Sequence, residues 1–295
     1  MMEVIVEQVP AIQWFPGHMA KTRRLMKANL PYVDIIVELR DAKIPLSSGN
    51  PELASMIGSK KRVILLNKCD TADPVVTAQW IEWFKKKGIA AIAVDSRSGK
   101  GLNAFLPTVR SELSELLARR AEKNESGRPI RMMVVGIPNV GKSSFINRMA
   151  GEKRARVEDR PGVTRDKQWV TVSKDVELLD MPGVLWPKFD DPAVGERLAV
   201  TGAVKDQILD LELLAMRLLS WIRDGYPELL ARYKITPEMA EGLEPYELLE
   251  LVGRKRGMLV SGGEVNTERA AITVLDEYRG GKLGLLSLET PPKDE

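Results

Sequence analysis

One glycine-rich segment, Gly136-Ile137-Pro138-Asn139-Val140-Gly141-Lys142-Ser143-Ser144, has the spacing most specific for chemistry in this chain. It follows the apolar run 132–135 and precedes apolar residues at helical spacing. A strand, a G-x-x-x-x-G-K-S loop and a helix start together predict a phosphate-binding loop. Backbone N–H groups at such a helix start attract an anion, and the glycines allow close approach. Lys142 should reach the β- and γ-phosphates, while the Ser143 hydroxyl should hold Mg²⁺.

A second motif narrows the choice of nucleotide. Asn67-Lys68-Cys69-Asp70 follows the apolar strand 62–66. The Asp70 carboxylate can accept hydrogen bonds from the N1–H and exocyclic amine of guanine, a donor pair that adenine does not offer. Asn67 should contact N7, and the Lys68 stem should lie along the ring. The motif therefore favours GTP, whereas a kinase or ATPase would require Asn67 and Asp70 to be coincidental.

A third motif, Asp180-Met181-Pro182-Gly183, has the features of a nucleotide switch. Asp180 is expected to reach Mg²⁺ through water, and the Gly183 N–H is expected to meet the γ-phosphate. Thr164 lies in a loop between a helix and a strand and could close over Mg²⁺ in the GTP state. The γ-phosphate orders loops of this kind, and hydrolysis releases them. The expected nucleotide contacts are Asn67, Lys68, Asp70, Ser96, Asn139, Val140, Gly141, Lys142, Ser143, Ser144, Thr164 and Gly183.

The order of these motifs bears on the fold. Strands alternate with helices, which predicts an α/β domain with a mostly parallel sheet and helices on both faces. The guanine motif precedes the phosphate loop, the reverse of an ordinary GTPase, so we interpret the chain as circularly permuted. We assign residues 1–203 to this domain, including a basic segment at 10–31, and residues 204–295 to a C-terminal helical domain. The stretch from about Ala118 to Arg131 has the composition of an exposed linker.

Composition restricts the class of protein further. The 295 residues are 44% hydrophobic and 29% charged, and the formal net charge is +3. This total is the sum of a basic first part of the chain and an acidic C-terminal part. Cys69 is the single cysteine, so no intramolecular disulfide is expected. The sequence has no apolar run near the ~20 residues of a membrane helix and no secretory signal pattern. We expect a cytoplasmic protein with no membrane or DNA partner.

Seven motifs together resemble the ribosome biogenesis GTPase A family, and they span nearly the whole chain. They are Trp14 to Met19, Asp41 to Pro45, Asn67 to Asp70, Gly136 to Ser143, Pro161 to Thr164, Asp180 to Pro187, and Arg279 to Gly284. The resemblance implies a GTPase that assists late assembly of the large ribosomal subunit and is stimulated by the particle. Its partners would be the rRNA and ribosomal proteins of the precursor, and it is expected to act as a monomer.

The resemblance also implies that the helical domain contacts rRNA. That domain is acidic overall, so only local basic clusters suit this role. The two candidates are Arg254-Lys255-Arg256, and Arg269 with Arg279 and Lys282.

Catalysis requires a group that positions water. Ras-like enzymes place a Gln directly after D-x-x-G, but this chain has Val184, which cannot hydrogen-bond through its side chain. The resemblance makes His18, the single histidine of the chain, the candidate for positioning the water. Lys142 and Thr164 are the other candidate catalytic residues. Resemblance to potassium-activated relatives makes Asn139 a candidate K⁺ ligand. An alternative is a GTP-dependent switch that binds RNA or the ribosome and has negligible intrinsic catalysis.

The base loop departs from the usual S-A-K pattern. It reads Asp95-Ser96-Arg97. Any contact to the guanine O6 is therefore expected from the Ser96 backbone N–H.

Overall fold

The structure is a computed structural model of the chain and describes residues 17–151, 168–186, 189 and 191–293. The described residues form two compact units. The sheet unit comprises those within Phe15–Trp186 together with Glu289–Glu295, and the helical unit comprises those within Pro187–Leu288. The chain thus returns to the sheet unit after the helical unit.

Six strands form one sheet in the order β3-β2-β1-β4-β6-β5. They are β1 (Ile35–Asp41), β2 (Arg62–Asn67), β3 (Ala90–Ala93), β4 (Ile130–Gly136), β5 (Gln168–Ser173) and β6 (Val176–Asp180). Neighbouring strands are parallel except for the antiparallel pair β5 and β6. The predicted α/β fold is confirmed. The phosphate-loop strand β4 is fourth in the chain yet lies centrally between β1 and β6, as circular permutation requires.

Helices of the sheet unit cover both faces of the sheet. They are α1 (Gly17–Asn29), α2 (Leu53–Ile57), α3 (Pro74–Lys86), α4 (Phe105–Glu112), α5 (Ser114–Glu122) and α6 (Lys142–Ala150), with short 3₁₀ turns at Leu30–Tyr32 and Leu102–Ala104. Side chains alternate between the faces along each strand. One face buries apolar residues against α1, α2 and α3. The alternate strand residues are also buried, and Phe105 of α4 packs edge-on against Phe145 of α6 with ring centroids 5.1 Å apart.

The expected linker from Ala118 is wrong in its first part. Helix α5 continues to Glu122, and β4 begins at Ile130. Arg120 is buried, and its guanidinium forms an ion pair of 2.6 Å with Asp34. A buried, paired arginine requires ordered backbone, which the polar composition alone did not indicate.

The helical unit has its own apolar core. Its helices are α7 (Pro192–Val200), α8 (Leu211–Gly225), α9 (Pro237–Ala240), α10 (Pro245–Lys255) and α11 (Thr267–Arg279), with 3₁₀ turns at Asp206–Ile208 and Pro227–Tyr233. Ala199 and Val200 of α7 are fully buried in this core. The division between the units therefore falls before α7, earlier than the predicted boundary at 203/204.

Candidate functional site

The phosphate loop connects β4 to α6 as predicted. Gly141 is the N-cap of α6 with φ of +102°, a conformation that favours glycine. The Lys142 Nζ donates to the carbonyl oxygens of Gly136, at 3.1 Å, and Ile137, at 2.8 Å. Lys142 is only 8% exposed, and burial lowers its pKa to about 8 although Asp180 opposes the shift. The ammonium group therefore lies over the loop, where it can meet an anion.

The side chain of Asn67 joins three of the predicted motifs. It is 3% exposed at the end of β2, and its Nδ2 donates to the Val140 carbonyl oxygen at 2.7 Å. Its Oδ1 accepts from the backbone N–H of Ser96, at 2.9 Å, and from the Ser96 hydroxyl, at 2.8 Å. The end of β2 is thus hydrogen-bonded to the loops that follow β3 and β4. One amide spans the proposed base and phosphate subsites.

Space at this junction is restricted. A Cβ at Gly141 would lie 2.3 Å from the Asn67 Nδ2. Real Cβ atoms do not approach other heavy atoms so closely, so a side chain at position 141 would have to displace the Asn67 amide, and the backbone angle favours glycine as well. The G-K-S spacing and the N-K-x-D motif therefore depend on each other structurally.

Lys68 and Asp70 occupy a turn just beyond β2. Lys68 has φ of +61°, and its Nζ forms an ion pair of 2.9 Å with Oδ2 of the buried Asp41. Burial opposes ionisation of Asp41, but Lys68 and Lys43 outweigh it and hold the Asp41 pKa below its ordinary value. Asp70 is exposed, as a carboxylate that receives a base should be.

The base loop after β3 is organised by Asp95. Its carboxylate accepts from the backbone N–H of Arg97, at 2.9 Å, and of Ser98, at 3.0 Å. Burial opposes ionisation of Asp95, yet these hydrogen bonds lower its pKa. The Ser96 N–H, predicted to contact the guanine O6, donates to Asn67 in this structure.

The D-x-x-G motif reaches the phosphate loop from β6. Asp180 pairs in register with Val134 at the end of the sheet, and burial raises its pKa against the effect of Lys142. A Cβ at Gly183 would lie 2.8 Å from backbone atoms of Pro138 and 3.0 Å from the Lys142 Nζ. The Gly183 backbone therefore adjoins the group expected to hold the γ-phosphate.

Val184, which comes directly after the motif, is attached to the same loop. Its backbone N–H donates to the Gly136 carbonyl oxygen at 3.2 Å, and its side chain is buried. It lines a small cavity with Met26, Glu38, Ser48, Asn50, Leu53, Val135, Gly136, Ile137 and Pro182. Consistent with the sequence, position 184 offers no water-positioning amide.

The remaining predicted contacts are distributed unevenly. Asn139 on the loop and Ser143 and Ser144 in the first turn of α6 are exposed, and Asn139 has φ of +57°. The side chain of His18 and all of Thr164 lie outside the described residues. The structure thus brings together Asn67, Ser96, Val140, Gly141, Lys142 and Gly183, with Asp180 close to Lys142.

The residues present fit a magnesium–nucleotide complex. Glycine at 141 and 183 lets the backbone of the two loops approach neighbouring groups closely, and Gly183 adjoins the Lys142 ammonium. The described residues contain no group of three or more His, Cys, Asp or Glu side chains that could hold a metal alone. This suits Mg²⁺, which commonly takes one or two protein oxygens together with water and substrate phosphates. Ser143 and Asp180 would supply the protein side of such a site.

One participant was missed at the sequence level. Asp41 lies within the motif Asp41-Ala42-Lys43-Ile44-Pro45 but received no role, yet it holds Lys68 of the guanine motif. The signal was a carboxylate at the end of a strand beside the N-K-x-D strand. We define the base side of the site as Asp41, Asn67–Asp70 and Ser96, and the phosphate side as Gly136–Ser144 with Asp180–Val184.

No helix among the described residues has the length and apolarity required to span a membrane.

Comparisons with known proteins show what the whole chain is similar to. A protein-family model described as a 50S ribosome-binding GTPase matches residues 131–238. Ribosome biogenesis GTPase A of Priestia megaterium is 46% identical over 96% of this chain and 98% of its own, and that of Thermotoga maritima is 30% identical over 95% of both chains.

Solved structures are similar as well. The GDP-bound structure of TM YlqF has a TM-score of 0.62 at 29% identity and covers 91% of this chain and 99% of its own. The GNP-bound YlqF from T. maritima has a TM-score of 0.63 at 28% identity, with 92% and 98% covered.

The sheet order and the bonded motif loops define a circularly permuted P-loop GTPase. Together with the extent and identity of the full-length matches, they show that the chain belongs to the ribosome biogenesis GTPase A family. It is therefore a GTPase of ribosome biogenesis.

Proposed function

We propose that this protein hydrolyses GTP while it assists late maturation of the large ribosomal subunit, and that its nucleotide state repositions the C-terminal helical domain on the particle. The observation that carries the nucleotide assignment is the Asn67 side chain, bonded both to Val140 of the phosphate loop and to Ser96 of the base loop. The family description, a 50S ribosome-binding GTPase, supports the large subunit as the partner.

Base recognition is assigned to the turn after β2. The Asp70 carboxylate accepts the N1–H and exocyclic amine of guanine. Asn67 donates one amide proton to Val140 and has a second for N7. The Lys68 stem lies along the ring while Asp41 holds its ammonium group.

Phosphate binding uses backbone N–H groups and one mobile charge. Lys142 exchanges its two carbonyl contacts for the β- and γ-phosphates, and the Gly183 N–H meets the γ-phosphate. Ser143, Thr164 and, through water, Asp180 would hold Mg²⁺, which neutralises charge on the phosphate oxygens. Val140, Gly141 and Ser144 complete the loop and helix start that face the phosphates.

His18 is proposed to position the attacking water, because Val184 cannot. With positioned acid–base groups worth about a hundredfold or more, His18→Ala should lower particle-stimulated turnover by about that factor. GTP affinity should stay unchanged. Full stimulated activity in the variant would remove His18 from the mechanism.

Asn139 is proposed to coordinate K⁺ beside the phosphates, supplying charge that other systems take from an arginine. Its position with positive φ on the phosphate loop is consistent with this role. Turnover should be faster in KCl than in NaCl at equal ionic strength. Equal rates would rule out the K⁺ site.

Contact with rRNA is proposed for the basic side chains that the helical unit leaves exposed. Arg256 forms an ion pair of 3.1 Å with Glu277, and Arg279 one of 2.8 Å with Asp206, so both have partners within the unit. The exposed alternatives are Arg254, Lys255, Arg269 and Lys282. Charge reversal at Arg254 and Lys255 should weaken particle binding and reduce its salt dependence.

The decisive experiment is co-sedimentation with large-subunit precursor particles. The protein should sediment with the particles when a non-hydrolysable GTP analogue is bound and should be released with GDP. Small-subunit particles serve as the control. Equal sedimentation in the two nucleotide states would contradict the proposed switch, and equal binding to both subunits would contradict the large subunit as partner.

The second candidate is a GTP-dependent ribosome-binding switch with negligible intrinsic catalysis. The apolar Val184 favours it, because that position lacks the water-orienting amide of Ras-like enzymes. Turnover measured with saturating particles separates the two, since the assembly enzyme should accelerate strongly and the pure switch should not. Monomeric state and cytoplasmic location remain predictions.

A further inference from the structure

The segment that follows the helical unit makes a buried, hydrogen-bonded contact within the sheet unit. Glu289 comes directly after Leu288, the last residue of the helical unit. It is 7% exposed, and its carboxylate accepts from the backbone N–H of Leu46 at 2.7 Å. It also accepts from the backbone N–H of Ser47 at 3.1 Å and from the Ser47 hydroxyl. A buried carboxylate with several donors is a specific arrangement rather than a surface contact.

The backbone of Glu289 is fixed as well. Its carbonyl oxygen accepts from the Trp80 Nε1 at 3.0 Å, and Trp80 is fully buried in α3. Helix α3 packs against the strands that end at the base side. The tail is therefore fastened to a rigid element at one point and to the loop 42–48 at another.

The loop that Glu289 holds leads directly to the guanine motif. The Ser48 hydroxyl, next to Ser47, accepts from the Asp41 backbone N–H at 3.0 Å and donates to the Ile44 carbonyl oxygen at 2.6 Å. The Asp41 carboxylate holds Lys68 at 2.9 Å, and the Ala42 N–H donates to the Asn67 carbonyl oxygen at 2.8 Å. Hydrogen bonds, one ion pair and the short backbone segments between them thus connect Glu289 to both residues that begin the N-K-x-D motif.

We propose that Glu289 is a positioning residue for guanine recognition, which acts through the loop 42–48 and Asp41 to set the placement of Lys68. The inference rests on the proposed assignment of Asn67–Asp70 to the base. It gives the conspicuous Asp41 to Pro45 motif a role: the motif forms the loop that transmits the position of the C-terminal tail to the base side.

The loop has a second anchor, so loss of Glu289 should shift it rather than unfold the protein. The Arg40 Nη1 donates to the Pro45 carbonyl oxygen at 2.9 Å. A Cβ at Gly49 would lie 2.3 Å from the Arg40 guanidinium, which shows how closely the loop surrounds it. Glu289→Gln is therefore a usable variant, and Ser47→Ala is a milder one because it removes only the hydroxyl donor.

The test is steady-state GTP hydrolysis by the full chain, combined with titration of GTP and GDP. Glu289→Gln should raise KM about three- to tenfold, less than the roughly ten- to hundredfold equivalent of a lost charged hydrogen bond because Glu289 acts on the base through a loop, with kcat within twofold of the parent. The affinities for GTP and GDP should fall by the same factor, because both nucleotides contain the base. Glu122→Gln, which neutralises an exposed acid of α5, serves as the matched control.

A merely structural role would give a different result. It would lower the active fraction, and so the apparent kcat, at unchanged KM; that outcome, or a KM within twofold of the parent, would overturn the proposal. The effects of Glu289→Gln and Lys68→Ala should also be less than additive, since the second removes the group that the first displaces. Full additivity would equally count against it.

Asp70→Asn separates failure of this inference from failure of the proposed function. If that variant exchanges GTP for xanthosine triphosphate while Glu289→Gln has no effect, the base assignment stands and the positioning role fails. If Asp70→Asn leaves the base preference intact, the assignment of the guanine motif fails first.

Discussion

The base side and the phosphate side of the nucleotide site are held together in different ways. On the base side, side chains form the connections: the Asn67 amide joins Val140 to Ser96, and Asp41 pairs with Lys68. On the phosphate side, close packing of the backbone dominates, since added atoms at Gly141 or Gly183 would overlap neighbouring groups. The base side should therefore be sensitive to removal of polar atoms, and the phosphate side to their addition.

The largest effect is expected where the base side meets the ligand. Asp70→Asn replaces an acceptor pair with a group that includes a donor, so it should favour xanthosine triphosphate over GTP. Because buried polar groups left unpaired reject a mismatched ligand strongly, the GTP to xanthosine triphosphate ratio of kcat/KM should change by about a thousandfold or more.

The matched control is Asp276→Asn, which neutralises an exposed aspartate on α11. It should leave the base preference unchanged. If Asp70→Asn still preferred GTP, the assignment of the base side to guanine recognition would be wrong.

The next effect tests whether removal of atoms damages the base side. Asn67→Ala would leave the Val140 carbonyl and the Ser96 N–H without their present partner, in buried surroundings. Unsatisfied buried groups cost about 1–3 kcal/mol each, so the loss of partners for two of them should lower the free energy of unfolding by about 2–6 kcal/mol. Urea unfolding measures this, with the exposed Asn147→Ala on α6 as control. An equal loss in both variants would mean that the Asn67 cross-link contributes nothing.

Sequence reasoning was most successful where a motif and its flanking element agreed. The phosphate loop, the N-K-x-D motif and the D-x-x-G motif each come after an apolar strand, and the sheet order brings these strand ends to one edge. Parallel strands with known motif ends constrain their neighbours strongly, which is why the permuted order could be inferred from the sequence.

The missed features are contacts between residues distant in the chain. Glu289 and Ser47 are 242 positions apart, and no local pattern links them. Arg120 was assigned to a linker because its neighbours are polar, whereas its burial depends on Asp34 in another element. Asp41 belonged to a recognised motif, but its pairing with Lys68 depends on the register between β1 and β2. Composition and periodicity do not encode such partners.

A smaller effect tests whether added atoms damage the phosphate side. Gly183→Ala places a Cβ 2.8 Å from backbone atoms of Pro138, so the D-x-x-G loop must move away from Lys142. Displacement of the Gly183 N–H, which we propose meets the γ-phosphate, should lower kcat/KM for GTP about tenfold, roughly one lost hydrogen bond. Gly127→Ala, where a Cβ would have nothing within 4 Å, is the control. Unchanged kinetics in Gly183→Ala would show that space is not the constraint there.

The smallest effect concerns charge, and it separates the two lysines of the site. Lys68 is paired with the Asp41 carboxylate, whereas Lys142 is surrounded mainly by carbonyl oxygens and has a pKa of about 8. Phosphate groups favour the charged form of Lys142 and should raise its pKa. Below the starting pKa the lysine is already protonated, so binding takes up no proton there; near pH 8 it should take up about half a proton.

Calorimetric titration of GDP in two buffers of different ionisation enthalpy measures this uptake. The signal should appear at about pH 8 and vanish at about pH 6.5, because protonation of Lys142 is complete at the lower pH. By linkage, GDP affinity should fall as the pH rises through the window above 8, because the bound state holds a proton that free Lys142 loses there. Absence of proton uptake near pH 8 would mean that burial does not lower the pKa of Lys142.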